Sequence, residues 1–358
     1  MTPRLPLRPT GPAEIVLPCA ELPPTLAFFV DLLGFRVETI FPAEEPQVAS
    51  LSGHGLRLRL EPGIGDPGRI RLGCDDLVPE ADRVLTAPNG TVIQLVPTDP
   101  PLEIPTLVPG FVLTRRRDAP QMGEGRAGML YRDLIPDRLG GVFIASHIAI
   151  PEGGPVSDWV HFHKVRFQMI FCRTGWVKVV YEDQGEPFLL NAGDCVVQPP
   201  QIRHRVLEAS SGLEVVEIGC PALHETLADH GMTLPTGRTL PDRIYGGQRF
   251  LRHVAADTPW TALGDTGFEV RETGMADATF GVADTRVIRP AGQSRIAFAP
   301  HDGELLFNFV LDGEVTLHHG TGHALEACDA FVIPAGEGWA LTAASTDLQL
   351  LQVQLPGR

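Results

Sequence analysis

Two histidines one residue apart, His161-Phe-His163, are followed by Gln168 and Gly175, then by Gly193, Pro199 and His204. Side chains alternate along an extended strand, so His161 and His163 share one face. Gln168 and His204 belong to two further passes of chain over the same inner surface. Neutral imidazoles converging on one point make a site for a divalent transition metal, and the Gln168 amide oxygen offers a fourth ligand. By the same alternation Arg166 shares the face of Gln168, where its planar guanidinium would clamp an anion with two hydrogen bonds. The competing reading is an arginine at the mouth of the site, paired with an acidic side chain. Arg203 and Arg205 flank His204 and are expected to point outward. Asp158 and His147 are further acid–base candidates of low weight.

The elements that must hold these residues follow from composition. Of 358 residues, 43% are apolar and 20% charged, enough for two or three domains with cores of their own. The 33 prolines and 38 glycines suit short strands joined by tight turns. A net charge of −15 argues against nucleic acid or an anionic membrane surface as partner, since both reward a basic face. No apolar run approaches the roughly 20 residues of a membrane span. Six scattered cysteines without a C-x-x-C pair, and an N-terminus lacking an apolar signal core, lead us to expect free thiols and a cytoplasmic protein.

Residues 13–62 show a strand, an amphipathic helix over 22–34 with prolines in its first turn and glycine at its stop, then three alternating strands. Glu14-Ile-Val-Leu-Pro-Cys-Ala-Glu-Leu, followed by Ala27-Phe-Phe-Val-Asp-Leu-Leu-Gly-Phe35, resembles the opening module of the glyoxalase/bleomycin-resistance (vicinal oxygen chelate) superfamily. A compressed second module follows at Arg69–Leu77 and Pro88–Pro97. The resemblance puts the family's ligand positions at Glu14, Arg69 and Gln94. A cation at Arg69 repels a metal ion, so this module is expected to be metal-free, with a structural or dimerising role.

Past a proline-punctuated stretch, the chain repeats itself. Gly128-Met-Leu-Tyr-Arg132 matches Gly267-Phe-Glu-Val-Arg271, and Ser146–Gly153 lies on Thr285–Gly292. His163 then falls on His301, Gly175 on Gly313, and Gly193–His204 on Cys328–Trp339. Both repeats resemble the cupin family, whose motifs run G-x5-H-x-H-x4-E-x6-G and G-x5-P-x-G-x2-H. The first repeat keeps His161, His163, Gly175, Gly193, Pro199 and His204 in register. It departs at Gln168, where the family has glutamate, and at Gln201, where it has glycine. In the second repeat the ligand positions become Ala299, His301, Leu306 and Trp339, so this barrel is expected to be metal-free. His318, His319 and His323 fall at an expected hairpin turn and are read as solvated.

The expected fold class is mainly β: two cupin (jelly-roll β-barrel) domains preceded by a small α+β glyoxalase-like module. The divisions are 1–97 for that module, 98–125 for a linker wrapping the next domain, and 126–222 for a metal-binding barrel. A partly helical connection over 223–262 and a degenerate barrel over 263–358 complete the chain. The resemblance implies one divalent transition metal per chain on His161, His163, Gln168 and His204: Fe(II) first, with Zn, Mn, Ni or Cu as alternatives. It also implies a dioxygenase joining O2 to a small anionic phenolate, enolate or carboxylate. Its rivals are a redox-neutral isomerase or lyase and a non-catalytic small-molecule binder. With glutamine in the glutamate's place, the ion's double charge is left uncompensated, which favours anionic ligands. A homodimer is the expected assembly.

Overall fold

The computed structural model describes residues 10–77, 83–118 and 121–357. The chain divides into two compact units, Met1–Pro101 and Leu102–Arg358. None of the described helices is long and apolar enough to cross a membrane.

In the first unit, β1 (Ile15–Pro18) leads into α1 (Leu22–Ala27), which continues as one wider turn over Phe28–Leu32. Pro23 and Pro24 occupy its second and third positions, in the first turn where no amide donor is needed, and Gly34 ends it at φ +75°. Next come β2 (Arg36–Phe41), β3 (Val48–Gly53), β4 (Leu56–Glu61), β5 (Arg69–Cys74), β6 (Arg83–Thr86) and β7 (Val92–Pro97). One sheet runs β1-β4-β3-β2 and the other β5-β7-β6; β1 pairs with β4, and β5 with β7, in parallel. Phe29 and Phe35 pack with Leu17, Leu51, Leu58 and Leu60 in the core. Glu14 and Arg69 are exposed, and Gln94 lies across the ladder from Arg71.

The second unit opens with β8 (Val112–Thr114), β9 (Gly123–Glu124), β10 (Leu130–Asp133), β11 (Ile144–Ile150) and β12 (Gly154–Pro155). Then follow β13 (His161–His163), β14 (Phe167–Thr174), β15 (Trp176–Tyr181), β16 (Phe188–Asn191), β17 (Cys195–Val197), β18 (His204–Ala209) and β19 (Leu213–Cys220). The connection holds β20 (Thr226–Ala228), β21 (Ile244–Tyr245), β22 (Gln248–Arg249), β23 (Leu251–His253) and β24 (Thr261–Ala262). The last part comprises β25 (Phe268–Glu272), β26 (Asp284–Pro290), β27 (Ile296–Phe298), β28 (Leu305–Asp312) and β29 (Glu314–His319). It ends with β30 (Thr321–Glu326), β31 (Ala330–Val332), β32 (Trp339–Thr342) and β33 (Gln349–Leu355).

These strands make two jelly rolls of one plan. The larger sheet of the first barrel runs β23-β17-β14-β19-β11-β10-β9, and that of the second β8-β31-β28-β33-β26-β25-β24. The smaller sheets are β16-β15-β18-β13-β20 and β27-β32-β29-β30. An apolar layer that includes Phe167, Met169, Phe171 and Ile218 of one large sheet and Phe307, Phe309, Leu351 and Val353 of the other joins the barrels.

Three expectations change here. The stretch before the first barrel does not wrap that barrel alone: its β8 caps the second barrel on β31, while β23, from the connection, caps the first on β17. The stretch expected to be helical around 223–230 instead holds β20 at Thr226–Ala228, because β13 has an open edge whose backbone groups need partners. His319 is not solvated: it pairs with Glu337 and stacks on Phe111 at 4.4 Å.

Candidate metal centre

His161 and His204 sit directly opposite each other on β13 and β18, with ring centroids 4.3 Å apart. His163 joins them from the same face of β13, its ring 5.4 Å from that of His204. One ligand-capable nitrogen from each of the three lies within 4.8 Å of the other two. All three residues are buried.

Backbone carbonyls decide which nitrogen that is. Nδ1 of His161 bonds the carbonyl of Trp159 at 2.8 Å, Nδ1 of His163 that of Glu225 at 3.1 Å, and Nδ1 of His204 that of Ile202 at 3.0 Å. A carbonyl only accepts, so each Nδ1 carries the proton and donates it, leaving Nε2 as the acceptor; in His161 that Nε2 faces Arg126 Nη2 at 3.2 Å. This is the outer support that metal-binding histidines use to fix tautomer and ring orientation. Burial keeps the rings neutral: it holds His163 down to about 3, and it pushes His161 down and His204 well below the ordinary value. Three fixed, neutral imidazoles with converging lone pairs fit a divalent transition metal.

Gln168, on β14, lines the same cavity and is buried. Its amide Nε2 donates to Oε1 of Glu217 on β19 at 2.5 Å. Glu217 escaped the sequence reading, and it corrects the charge argument: the carboxylate missing at position 168 returns from the neighbouring strand. A signal was present. In Leu213-Glu-Val-Val-Glu-Ile-Gly-Cys220, residue 217 shares a face with buried Val215, so alternation alone aims a carboxylate into the barrel.

Arg166 is not at the site. It is tied instead to Glu304 of the second barrel by an ion pair, the alternative weighed above. The inward alternation fails because β14 begins only at Phe167; Arg166 still belongs to the turn before it. A guanidinium that does line the cavity is that of Arg126, which pairs with buried Asp158 and places Nη2 3.2 Å from His161 Nε2. Asp158 also accepts from the amide of Val206 at 2.9 Å, so it is a structural anchor rather than a free acid. His147 lies elsewhere, between Arg132 and Glu214. Arg203 points outward over Phe162, as expected, whereas Arg205 borders the cavity.

The cavity holds about 100 Å3. Its polar end carries the histidines, Gln168, Gln198, Tyr131, Tyr181 and Glu217; its wall is aliphatic, with Ile148, Ile170, Val177 and Val215 among the lining. Gln198 donates to the Tyr181 hydroxyl at 2.9 Å, and the Tyr181 ring stacks against His204. Burial, helped by the charge of Glu217, raises both tyrosines, so their hydroxyls stay protonated. Burial pushes the Cys172 thiol up to about 12, which removes it as a nucleophile.

Residues 102–358 thus have the two-barrel cupin fold, with one barrel carrying a three-histidine centre. No family model matches the chain, and no curated protein matches it either. Among solved structures it is similar to protein Ylba from E. coli: 10% identity, 72% of this chain and 95% of that one covered, TM-score 0.52. It is also similar to salicylate 1,2-dioxygenase from Pseudaminobacter salicylatoxidans: 16% identity, 71% and 86% covered, TM-score 0.51. That dioxygenase with gentisate adducts aligns at 15% identity over 70% and 82% of the chains, TM-score 0.50.

Proposed function

We propose that the protein is a metal-dependent enzyme of the cupin type, a non-haem Fe(II) dioxygenase acting on a small anionic substrate. His161, His163 and His204 would hold the ion, with the Gln168 oxygen beside them. The observation that carries the reading is the set of three Nδ1–H groups committed to backbone carbonyls, which aims three Nε2 lone pairs at one point. When bound, such an ion supplies Lewis acidity, a template for substrate and electron transfer to or from dioxygen. The chain's own groups do the rest. Arg126 would face the substrate's negative charge, the aliphatic wall would exclude water, and Gln198 holds the Tyr181 hydroxyl by a hydrogen bond. The likeness to a salicylate 1,2-dioxygenase supports this choice of chemistry at the level of fold.

Glu217 favours a second reading. A carboxylate in the cavity wall is placed to hold a substrate proton, as a redox-neutral isomerase or lyase requires. Anaerobic purification with metal analysis, followed by oxygen uptake against salicylate, gentisate, catechols and β-diketones, separates the two. One iron per chain and substrate-dependent uptake are expected. Bound metal with substrate turnover but no uptake would establish the redox-neutral reading instead.

A further inference from the structure

Gln168 lies opposite Gly219 in the β14–β19 ladder, and Glu217 lies opposite Ile170, so the two polar side chains meet diagonally on the inner face. A carboxylate accepts and cannot donate, so it fixes the amide: nitrogen toward Glu217, oxygen toward the cavity shared with the histidines. Glu217 is therefore one amide away from the centre. The other charges at the cavity are differently placed. Arg126 is offset by Asp158, which is buried and faces the Val206 amide, and Arg205 stands at the border. Glu217 is the carboxylate that a ligand entering the polar end meets in the cavity wall.

Two charges a few ångströms apart in a partly desolvated pocket interact far more strongly than in water. A doubly negative ligand brings its second charge toward Glu217, whereas a singly negative one can direct its neutral oxygen there. We infer that Glu217 makes the centre discriminate against doubly charged ligands in favour of small, singly charged, two-oxygen chelators. These are α-hydroxy or α-keto acids, or a phenol with one neighbouring acid group.

The inference rests on the metal-centre reading, and its test keeps the two apart. The full-length protein is loaded with Co(II), whose absorption reports ligand binding, and titrated with glycolate (one charge, two oxygens) and oxalate (two charges, same span). Glu217→Gln keeps an acceptor for the Gln168 amide and removes the charge. It should shift the ratio of the two dissociation constants about tenfold toward oxalate. Glu217→Ala should shift the ratio the same way if the glutamine variant fails to fold. The exchange Gln168→Glu with Glu217→Gln keeps one carboxylate on this strand pair, and its ratio should stay within about threefold of the original. An unchanged ratio in both single variants, with cobalt and both ligands bound, overturns the inference and leaves the centre standing. Failure of the unaltered protein to take up cobalt or any other transition metal overturns both.

Discussion

Phe298 and Trp339 stack face to face, 4.0 Å apart, across the same strand pair that in the first barrel brings His161 opposite His204. One plan thus carries an imidazole pair in one barrel and an aromatic plug in the other. Phe298 rather than Ala299 is the partner of Trp339, so the strand register differs by one residue from the alignment read in the sequence. His301, the histidine retained in the second repeat, is held by backbone at both nitrogens: Nε2 bonds the carbonyl of Ile333, and Nδ1 accepts from the amide of Gly303. Leu306 is part of the core.

Trp339→Ala should therefore behave as a core truncation. Trp339 is buried among Phe298, Phe331 and Leu341, and its loss should cost about 3–5 kcal/mol. Denaturant titration gives the cost; metal content per chain, measured alongside, should not change.

Truncating the first barrel's histidines should do the reverse. His161→Ala or His204→Ala should weaken metal binding by more than the ~10–100-fold typical of outer-shell losses. His301→Ala should leave it as it was. Equilibrium dialysis with Zn(II) or Fe(II) distinguishes these outcomes, and equal losses in all three variants would contradict the assignment.

Arg126 and Arg166 should separate by readout. Arg126 sets its guanidinium against the Nε2 lone pair of His161, so it competes with a cation for that ligand. Arg126→Gln should raise metal affinity, by about tenfold on Coulomb grounds, and weaken anionic ligands. Arg166→Ala should change neither, because its partner is Glu304. Its effect should be on stability, up to about 3–5 kcal/mol for removing one partner of a mostly buried ion pair.

What the sequence allowed to be read, and what it did not, divides by range. The His161–His163 pair, the return of His204 and the repeat itself are local spacings, and spacing survives folding. The helix over 22–34 is equally local, stopped by Gly34. Arg166 defeated the alternation rule because the rule holds only inside a strand. Glu217 and Arg126 reach the cavity from β19 and from the turn before β10, so their nearness to the histidines depends on sheet order. The stretch over 223–230 has helix-forming residues, yet the unpaired edge of β13 outweighs that local preference.

Acid should loosen the seam between the barrels. His147 is buried and neutral, donating from Nε2 to Glu214 and accepting from Arg132 at Nδ1. That hydrogen bond, assisted by Arg173, holds the Glu214 carboxyl at about 2, against an ordinary 4.5. A depressed folded-state value stabilises the protein fully above 4.5, and the contribution fades as pH falls from 4.5 toward 2. For His147, burial outweighs the pull of Glu214, so the unfolded chain gains its proton first and stability begins to fall below about 6.5. Both effects have the same sign. Glu214→Gln should flatten the drop in Tm between pH 7 and pH 3, a difference of order 1–3 kcal/mol.

The exchanged strands make a last prediction. β8 precedes the first barrel in sequence yet completes the second, hydrogen-bonding β31 through Val112, Leu113 and Thr114. Arg116, just beyond it, donates its amide to the carboxylate of buried Asp329 at 2.7 Å. A chain lacking only Val112–Arg116 would lose both, exposing the backbone edge of β31 and leaving Asp329 without that donor. Unpaired sheet edges promote association, and a buried acceptor stripped of its donor costs about 1–3 kcal/mol. The shortened chain should therefore melt at lower temperature and show aggregates in size-exclusion chromatography. The three histidines lie on β13 and β18, whose partners include β15 and β20, and the shortening removes none of these. Metal content in the remaining soluble fraction should stay at one ion per chain. If metal binding vanished together with β8 while the chain stayed folded, the centre would depend on the second barrel's edge, and the assignment to His161, His163 and His204 alone would be wrong.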